Sequence, residues 1–202
     1  MSSFPKKRFT VLLVVVSAAW IVLVSLLVLS KVATTNRNLA SARAAAQIKA
    51  LSAGIAYYTD NGAYPRNADT DMLDPRTDLI AGGSGDSKVR YERACRHLYR
   101  ELTGDREPPE SPDGRPESDA KAYYSFARRD LAFTADANGT ITLVRYLRDP
   151  YGNCYGYSTA GIAGSNPSSS GNSTAARGYN TTTFDLWSTA ADDRKKWVKN
   201  WP

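Results

Sequence analysis

The 202-residue sequence has little of the chemistry on which most enzymes and metal sites depend. It contains one histidine, His97, and two cysteines, Cys95 and Cys154. A Ser–His–Asp triad would have to use His97, and no Gly-x-Ser-x-Gly nucleophile motif occurs. The cysteines also lack the Cys-x-x-Cys spacing of zinc and redox motifs. We therefore predict that the protein is not an enzyme and that His97 lies exposed on a helix surface.

Charged residues are absent from Phe9 to Leu29, which consists mainly of Val, Leu, Ala and Ile. A helix of this length reaches roughly 30 Å, enough to cross the hydrocarbon core of a bilayer. We predict a transmembrane segment at 9–30, with Phe9, Leu13, Trp20 and Leu29 as membrane-anchor residues. A cleaved signal peptide is the open alternative, but its apolar region is shorter, about 7–15 residues, which favours a retained anchor.

Three basic residues, Lys6, Lys7 and Arg8, stand directly before the apolar segment. Cytoplasmic flanks of membrane segments carry an excess of Lys and Arg. This predicts that residues 1–8 stay in the cytoplasm and that the rest of the chain is exported.

The formal net charge is +6, which raises the question of a nucleic-acid partner. Acidic residues are interspersed among the basic ones, and no basic stripe alternates with aromatic residues as phosphate-tracking surfaces require. We predict no nucleic-acid partner, and a lipid bilayer as the first partner.

Helical periodicity continues beyond the apolar segment, over residues 31–62. An apolar stripe recurs at three- and four-residue steps at Ile48, Leu51, Ile55 and Tyr58. Asn61-Gly62 supplies a C-terminal stop. The pattern predicts one long helix with a transmembrane half and an exported amphipathic half.

The remaining residues, 63–202, have the polarity of a globular domain. A second short helix is predicted at 87–103 and loops at 104–119 and 161–178. Strands are predicted at 140–147, 154–158 and 182–188. We expect an α+β fold in which one small antiparallel sheet packs on the exported half of the long helix.

The even number of cysteines permits a Cys95–Cys154 disulfide in an exported domain. Closing a loop of roughly 60 residues would contribute up to about 4 kcal/mol. Two unpaired buried thiols are the open alternative, because the sequence does not show whether the two Cα atoms approach closely enough.

Three passages together resemble the major pseudopilin of type II secretion systems, a family related to type IV pilins. The passages are Tyr-Tyr-Thr-Asp-Asn-Gly-Ala-Tyr-Pro at 57–65, Asp-Pro-Tyr-Gly-Asn at 149–153, and Phe-Asp-Leu-Trp-Ser at 184–188 with Asn200-Trp201 behind it. The resemblance implies a pilin-like fold on a single-pass anchor in the bacterial inner membrane, with a periplasmic C-terminal domain. It also implies a structural subunit of a pseudopilus or type IV pilus-like assembly that contributes to protein export. Like or related pilin subunits and the inner-membrane secretion machinery would be its partners.

The N-terminus departs from the family pattern at two positions. Pilin-like precursors have Gly before the cleavage point and Glu at the fifth mature position. If Phe9 is the first mature residue, Arg8 and Leu13 occupy those positions. Cleavage by a prepilin peptidase and polymerisation are therefore open, as are the cargo and the choice between major and minor subunit. The alternative function is a non-polymerising, membrane-anchored periplasmic binding module.

The resemblance also implies a calcium ligand at Asp192, with Asp193 as a substitute after a register shift. The later acidic ligands of the family fall on Lys196 and Trp197, and a cation is disfavoured beside Lys196. A simple polar loop without Ca²⁺ is the other interpretation, and no other cofactor is expected.

Overall fold

The computed structural model describes residues 6–60, 62–78, 86–106, 112–164, 178–190 and 196–202. The chain divides into two units, residues 1–40 and 41–202, and helix α1 (Lys6–Thr59) contributes to both. The predicted α+β layout is confirmed, since a long apolar N-terminal helix is followed by small antiparallel sheets.

The second unit contains the end of α1 and a series of shorter elements. Its helices are α2 (Ala68–Met72), α3 (Asp86–Thr103) and α4 (Ala160–Gly164), and its strands are β1 (Leu131–Ala135), β2 (Ile141–Leu147), β3 (Gly156–Ser158), β4 (Asp185–Ser188) and β5 (Val198–Lys199). A 3-10 turn at Arg128–Asp130 precedes β1. The second helix and three of these strands lie where the sequence predicted them.

Two separate sheets form in the described residues, where the sequence predicted one. Strands β1 and β2 pair antiparallel as a hairpin, and β3, β4 and β5 form an antiparallel sheet in that order. The tight turn that begins at Asp149 separates the two, and only an isolated bridge between Arg148 and Cys154 connects β2 to the segment before β3. The prediction of one sheet was wrong because this turn redirects the chain before a second ladder can extend from β2.

Helix α2 illustrates an element that the hydrophobic pattern could not predict. It is one turn long, and it begins with a capping box between Asn67 and Thr70. The Asn67 side chain accepts a hydrogen bond from the Thr70 N–H, and the Thr70 hydroxyl accepts one from the Asn67 N–H, both at 3.0 Å. These local bonds define the helix without an apolar periodicity.

One hydrophobic core holds the second unit together. Helix α1 contributes Ile48, Leu51 and Ile55, and α3 contributes Tyr91, Cys95, Leu98 and Leu102; the sheets add Val144, Leu147, Tyr157, Leu186 and Trp187. All these side chains are buried. The amphipathic stripe of α1 therefore packs on its own domain.

Candidate functional site

The first part of α1 exposes apolar side chains on all its faces. Trp20 and Leu29, two of the predicted anchor residues, are 64% and 65% exposed. Their apolar neighbours are also exposed: Val16, Ile21, Val22, Leu23, Val24, Leu26, Leu27 and Val28. The other two predicted anchor residues, Phe9 and Leu13, lie on the helix, but their side chains are outside the described part. A helix that is apolar all round is typical of a membrane segment.

By length and composition, this helix can cross a membrane, and a signal sequence near an N-terminus passes the same test. Four hydroxyl groups between residues 25 and 35 bond within the helix. Ser25 Oγ donates to the Ile21 carbonyl at 2.8 Å, and Thr34 Oγ1 donates to the Ser30 carbonyl at 2.9 Å. Such bonds lower the cost of placing a hydroxyl in lipid, where water cannot accept the proton.

The part of α1 that belongs to the second unit has one buried face and one exposed face. Ile48, Leu51 and Ile55 from the predicted stripe are almost fully buried. Tyr58 is half-buried, and its hydroxyl donates to Glu101 at 2.7 Å; burial raises the pKa of Tyr58. The opposite face is exposed and bears mainly alanines, at Ala42, Ala45, Lys49, Ala53 and Ala56.

This burial limits the surface that α1 can offer to a neighbouring molecule. The stripe at Ile48, Leu51 and Ile55 is not free for such a contact. Its own domain already covers that stripe. The alanine-rich face, defined by Ala42, Ala45, Lys49, Ala53 and Ala56, is open to a neighbouring molecule in this part of the helix.

The three passages that resemble the pseudopilin family come together in the second unit. Tyr64, from the first passage, packs its ring on Phe184 of the third, with centroids 5.7 Å apart. Tyr157, which follows the second passage, packs on the same Phe184 ring at 5.8 Å. Segments far apart in sequence thus share one aromatic cluster.

The Asp149 turn joins the second passage to the third. The Asp149 carboxylate accepts hydrogen bonds from the N–H groups of Tyr151 and Asn153, at 2.9 and 2.8 Å, and from the Ser188 hydroxyl. The Asn153 side chain then donates to the Thr189 carbonyl at 3.0 Å. The turn is therefore fastened to the end of β4, and its aspartate is structural.

Asn200 fastens the C-terminal end of the chain to β4. Its side-chain oxygen accepts from the Leu186 N–H at 2.8 Å, and its side-chain nitrogen donates to the Phe184 carbonyl at 3.0 Å. The neighbouring Trp201 ring stacks on Tyr179, with centroids 4.8 Å apart. The sequence analysis assigned no role to this clamp, and only the Asn200-Trp201 resemblance pointed to the region.

Cys95 and Cys154 are both buried, and the structure describes them as free thiols. The two side chains are close enough for a hydrogen bond. Burial is the main reason that the pKa of Cys154 is raised, and this hydrogen bond is the second. Cys95 Sγ also accepts from the Leu147 N–H at 3.2 Å. The structure brings the two predicted partners together, and the disulfide stays a prediction.

His97 differs from the exposed side chain that the sequence predicted. It is half-buried, and its Nε2 atom is buried without a hydrogen-bond partner. Burial lowers the pKa of His97, which opposes protonation. The error arose because His97 lies at the edge of the apolar face of α3, where α2 and its neighbouring residues approach.

The two aspartates of the predicted calcium site, Asp192 and Asp193, lie outside the described residues. Within the described ranges, no group of three or more His, Cys, Asp or Glu side chains could hold a metal ion. Calcium at Asp192 and Asp193 remains a prediction.

Comparisons with known proteins found no relative of this chain. No protein-family model matches the chain, and no curated protein or solved structure is significantly similar to it.

Proposed function

We propose that this protein is a non-enzymatic structural subunit of a type II secretion pseudopilus or a type IV pilus-like assembly. In this role it contributes to protein export across a bacterial cell envelope. Residues 9–30 anchor it in the inner membrane with a cytoplasmic N-terminus, and the second unit lies in the periplasm. Like or related pilin subunits and the inner-membrane secretion machinery are its partners.

The convergence of the three pseudopilin-like passages carries this proposal. A chance resemblance in three short segments gives no reason for the segments to meet in space. Here Tyr64, Tyr157 and Phe184 share one aromatic cluster, and Asp149 bonds to Ser188 at the end of β4. The resemblance therefore coincides with residues that hold the domain together.

The exposed part of α1 is the second support. Burying apolar side chains contributes about 25 cal/mol per Å², so exposed side chains such as Trp20, Leu23 and Leu27 favour transfer into lipid or against other helices. The exposed alanine-rich face of the same helix would allow close approach of a neighbouring helix, because its side chains are small.

A second candidate function is a non-polymerising, membrane-anchored periplasmic binding module. Arg8 and Leu13 favour it, since they stand where the family has its processing Gly and its assembly Glu. An intramembrane carboxylate is costly and is normally kept for a function. Its replacement by Leu13 removes that function from the anchor.

The mass of the mature protein, purified from its native membranes, separates the two candidates. A chain that begins at Phe9 supports processing and assembly. An intact N-terminus supports the binding module. The variant Arg8→Gly is the matched test of the processing site. If this variant is cleaved and the wild type is not, the peptidase recognises the segment and Arg8 prevents cleavage.

Cross-linking tests assembly directly. Ala45→Cys and Ala53→Cys place single thiols on the alanine-rich face, while native Cys95 and Cys154 are buried and react slowly. A bismaleimide added to native membranes should link these variants into dimers and larger species. Thr142→Cys, exposed on β2, is the control for random collision. Monomer alone at positions 45 and 53 would contradict the subunit proposal.

A further inference from the structure

An open cavity of about 640 Å³ lies in the second unit. Three arginines from separate chain segments line it: Arg43 on α1, Arg129 in the 3-10 turn, and Arg148 after β2. Its remaining lining includes Gln47, Asp130 and the turn that begins at Asp149. Its volume is in the range of small-molecule sites, about 300–1,000 Å³.

The charge in this cavity is unbalanced. Its lining has three guanidinium groups and two carboxylates, so positive charge exceeds negative even when both carboxylates are ionised. The Asp149 carboxylate is buried, and its oxygens already accept bonds from Ser188, Tyr151 and Asn153. The Asp130 carboxylate accepts from Gln47 at 2.9 Å and lies 3.8 Å from the Arg129 guanidinium.

Two of the guanidinium groups have no carboxylate partner among the described residues. Arg148 donates from Nε and a terminal nitrogen to the Arg129 carbonyl, at 3.2 and 2.7 Å. These bonds hold its side chain in place and use only two of its five N–H groups. Arg43 forms no hydrogen bond or ion pair within the described part of the chain.

Gln47 also lines the cavity, and two hydrogen bonds hold its side chain in place. It donates to Asp130, and its side-chain oxygen accepts from the Tyr155 hydroxyl at 2.6 Å. Both ends of the Gln47 amide are thus hydrogen-bonded. The bond to Asp130 connects α1 to the 3-10 turn and sets the distance between them at the cavity. The site is partly organised before a ligand arrives, which lowers the entropic cost of binding.

We propose that this arginine cavity, lined by Arg43, Arg129 and Arg148, binds a phosphate group. Guanidinium forks match phosphate oxygens in bidentate geometry, and a phosphomonoester carries a charge near −2 at neutral pH, which suits the surplus positive charge. A phosphate also presents enough oxygens for three arginines, whereas a monocarboxylate presents two. The group could belong to free phosphate, to a soluble phosphomonoester or to a lipid headgroup, since all share this chemistry.

Isothermal titration calorimetry on the full chain in a maltoside detergent tests the proposal, with inorganic phosphate as the first probe. We expect saturable binding at one site per chain. Arg43→Gln should weaken binding roughly tenfold or more, because it removes a charge-assisted contact. Arg93→Gln, which removes an exposed arginine from α3 outside the cavity, is the matched control and should leave binding unchanged.

Arg148→Gln is the second variant, and it should weaken binding by a similar factor. It also loses the bonds to the Arg129 carbonyl, so its thermal melting is measured in parallel. Arg43→Gln breaks no bond in the described structure, so it keeps the test decisive if Arg148→Gln does not fold.

Two further probes distinguish the sources of the phosphate. Tighter binding of glucose 1-phosphate than of inorganic phosphate would indicate a soluble phosphomonoester. Tighter binding of phosphatidic acid in mixed micelles would indicate a lipid headgroup.

Binding of succinate but of none of the phosphates would overturn the proposal. So would the absence of binding by every probe, or equal weakening by Arg43→Gln and Arg93→Gln. The measurement uses solubilised single chains, so it does not depend on whether the protein assembles.

Discussion

The indole Nε1 of Trp187 donates a 3.0 Å hydrogen bond to the hydroxyl of Tyr91. Their rings meet edge to face, with centroids 5.6 Å apart, a favourable arrangement for an aromatic pair. The Tyr91 hydroxyl in turn donates to the Asp78 carbonyl at 2.6 Å. This buried chain of bonds connects β4, α3 and the segment before α3.

Tyr91→Phe should destabilise the domain by about 1–3 kcal/mol. The substitution removes one hydroxyl and leaves the Trp187 N–H and the Asp78 carbonyl without their partner, and buried polar groups that lose a partner carry the full desolvation cost. Urea unfolding of the full chain in detergent, followed by tryptophan fluorescence, measures the loss.

The matched control for this prediction is Tyr146→Phe, on β2. The Tyr146 hydroxyl has no hydrogen-bond partner among the described residues, so its removal should change the free energy of unfolding by under about 0.5 kcal/mol. Equal effects of the two substitutions would contradict a role for the Trp187–Tyr91 bond.

Asp149 provides a prediction about pH. Burial raises the pKa of its carboxyl above 3.8, and the hydrogen bonds from Ser188, Asn153 and Tyr151 oppose that change only in part. Because the folded protein then holds the proton more tightly than the unfolded chain, this group contributes stability below pH 3.8. That contribution is lost as the pH rises through the folded pKa.

Asp149→Asn cannot titrate, so it lacks this pH dependence. The unfolding free energy of the wild type minus that of Asp149→Asn should be highest at and below pH 3.8 and should fall as the pH rises through the folded pKa. The decrease amounts to about 1.4 kcal/mol for each tenfold difference in proton affinity between the folded and unfolded states. Urea unfolding at a series of pH values checks this. A rise with pH in the wild-type value relative to that of Asp149→Asn would show that the hydrogen bonds outweigh burial.

Gly156 is a position at which a single methyl group should be disruptive. A Cβ built there would lie 2.1 Å from Cε2 of Trp187, and the bond to Tyr91 prevents that indole from moving freely. Gly156→Ala should therefore cost about 1–3 kcal/mol or more through overpacking. Chemical denaturation and protease resistance measure the effect.

Gly54→Ala is the paired comparison for this substitution. A Cβ at Gly54, on α1, would lie 3.2 Å from the Tyr124 side chain, which can shift by a few tenths of an ångström. Alanine also has about 1 kcal/mol better helix propensity than glycine. We expect this variant to be close to neutral, and a loss as large as that of Gly156→Ala would contradict the argument.

The thiol pair is tested in protein isolated from the cell envelope. If export leads to a Cys95–Cys154 disulfide, maleimide should label neither cysteine after denaturation without reductant, and both after reduction. Reduction should also lower the stability, by up to about 4 kcal/mol for a loop of this length. The Cys154→Ser variant should label at Cys95 in both conditions. Labelling of both cysteines without reductant would contradict the prediction.

Apolar periodicity and helix-stop residues predicted the two long helices, α1 and α3, but not the short helices α2 and α4. The apolar stripe at Ile48, Leu51 and Ile55 identified which face of α1 is buried. In α3 the buried residues Tyr91, Cys95, Leu98 and Leu102 follow the same period, because a 3.6-residue period places such residues on one side of a helix. Some short elements were not predicted from the sequence. Strand β5 has only two residues, and α2 depends on a local cap rather than on an apolar pattern.

The candidate sites were harder to predict than the helices. The Cys95–Cys154 contact was an open alternative in the sequence, since spacing along the chain does not give distance in space. The arginine cavity had no sequence signal at all. Arg43, Arg129 and Arg148 lie far apart in the chain, and each by itself resembles an ordinary solvated side chain.

The sequence by itself determined that an apolar helical segment precedes an α+β domain, because hydrophobic length and period are local properties of the chain. Tertiary structure decided which surfaces remain free. Folding of the second unit buries the amphipathic stripe of α1 and leaves its alanine-rich face exposed. It also brings three arginines to one cavity, because long-range packing determines which charges become neighbours.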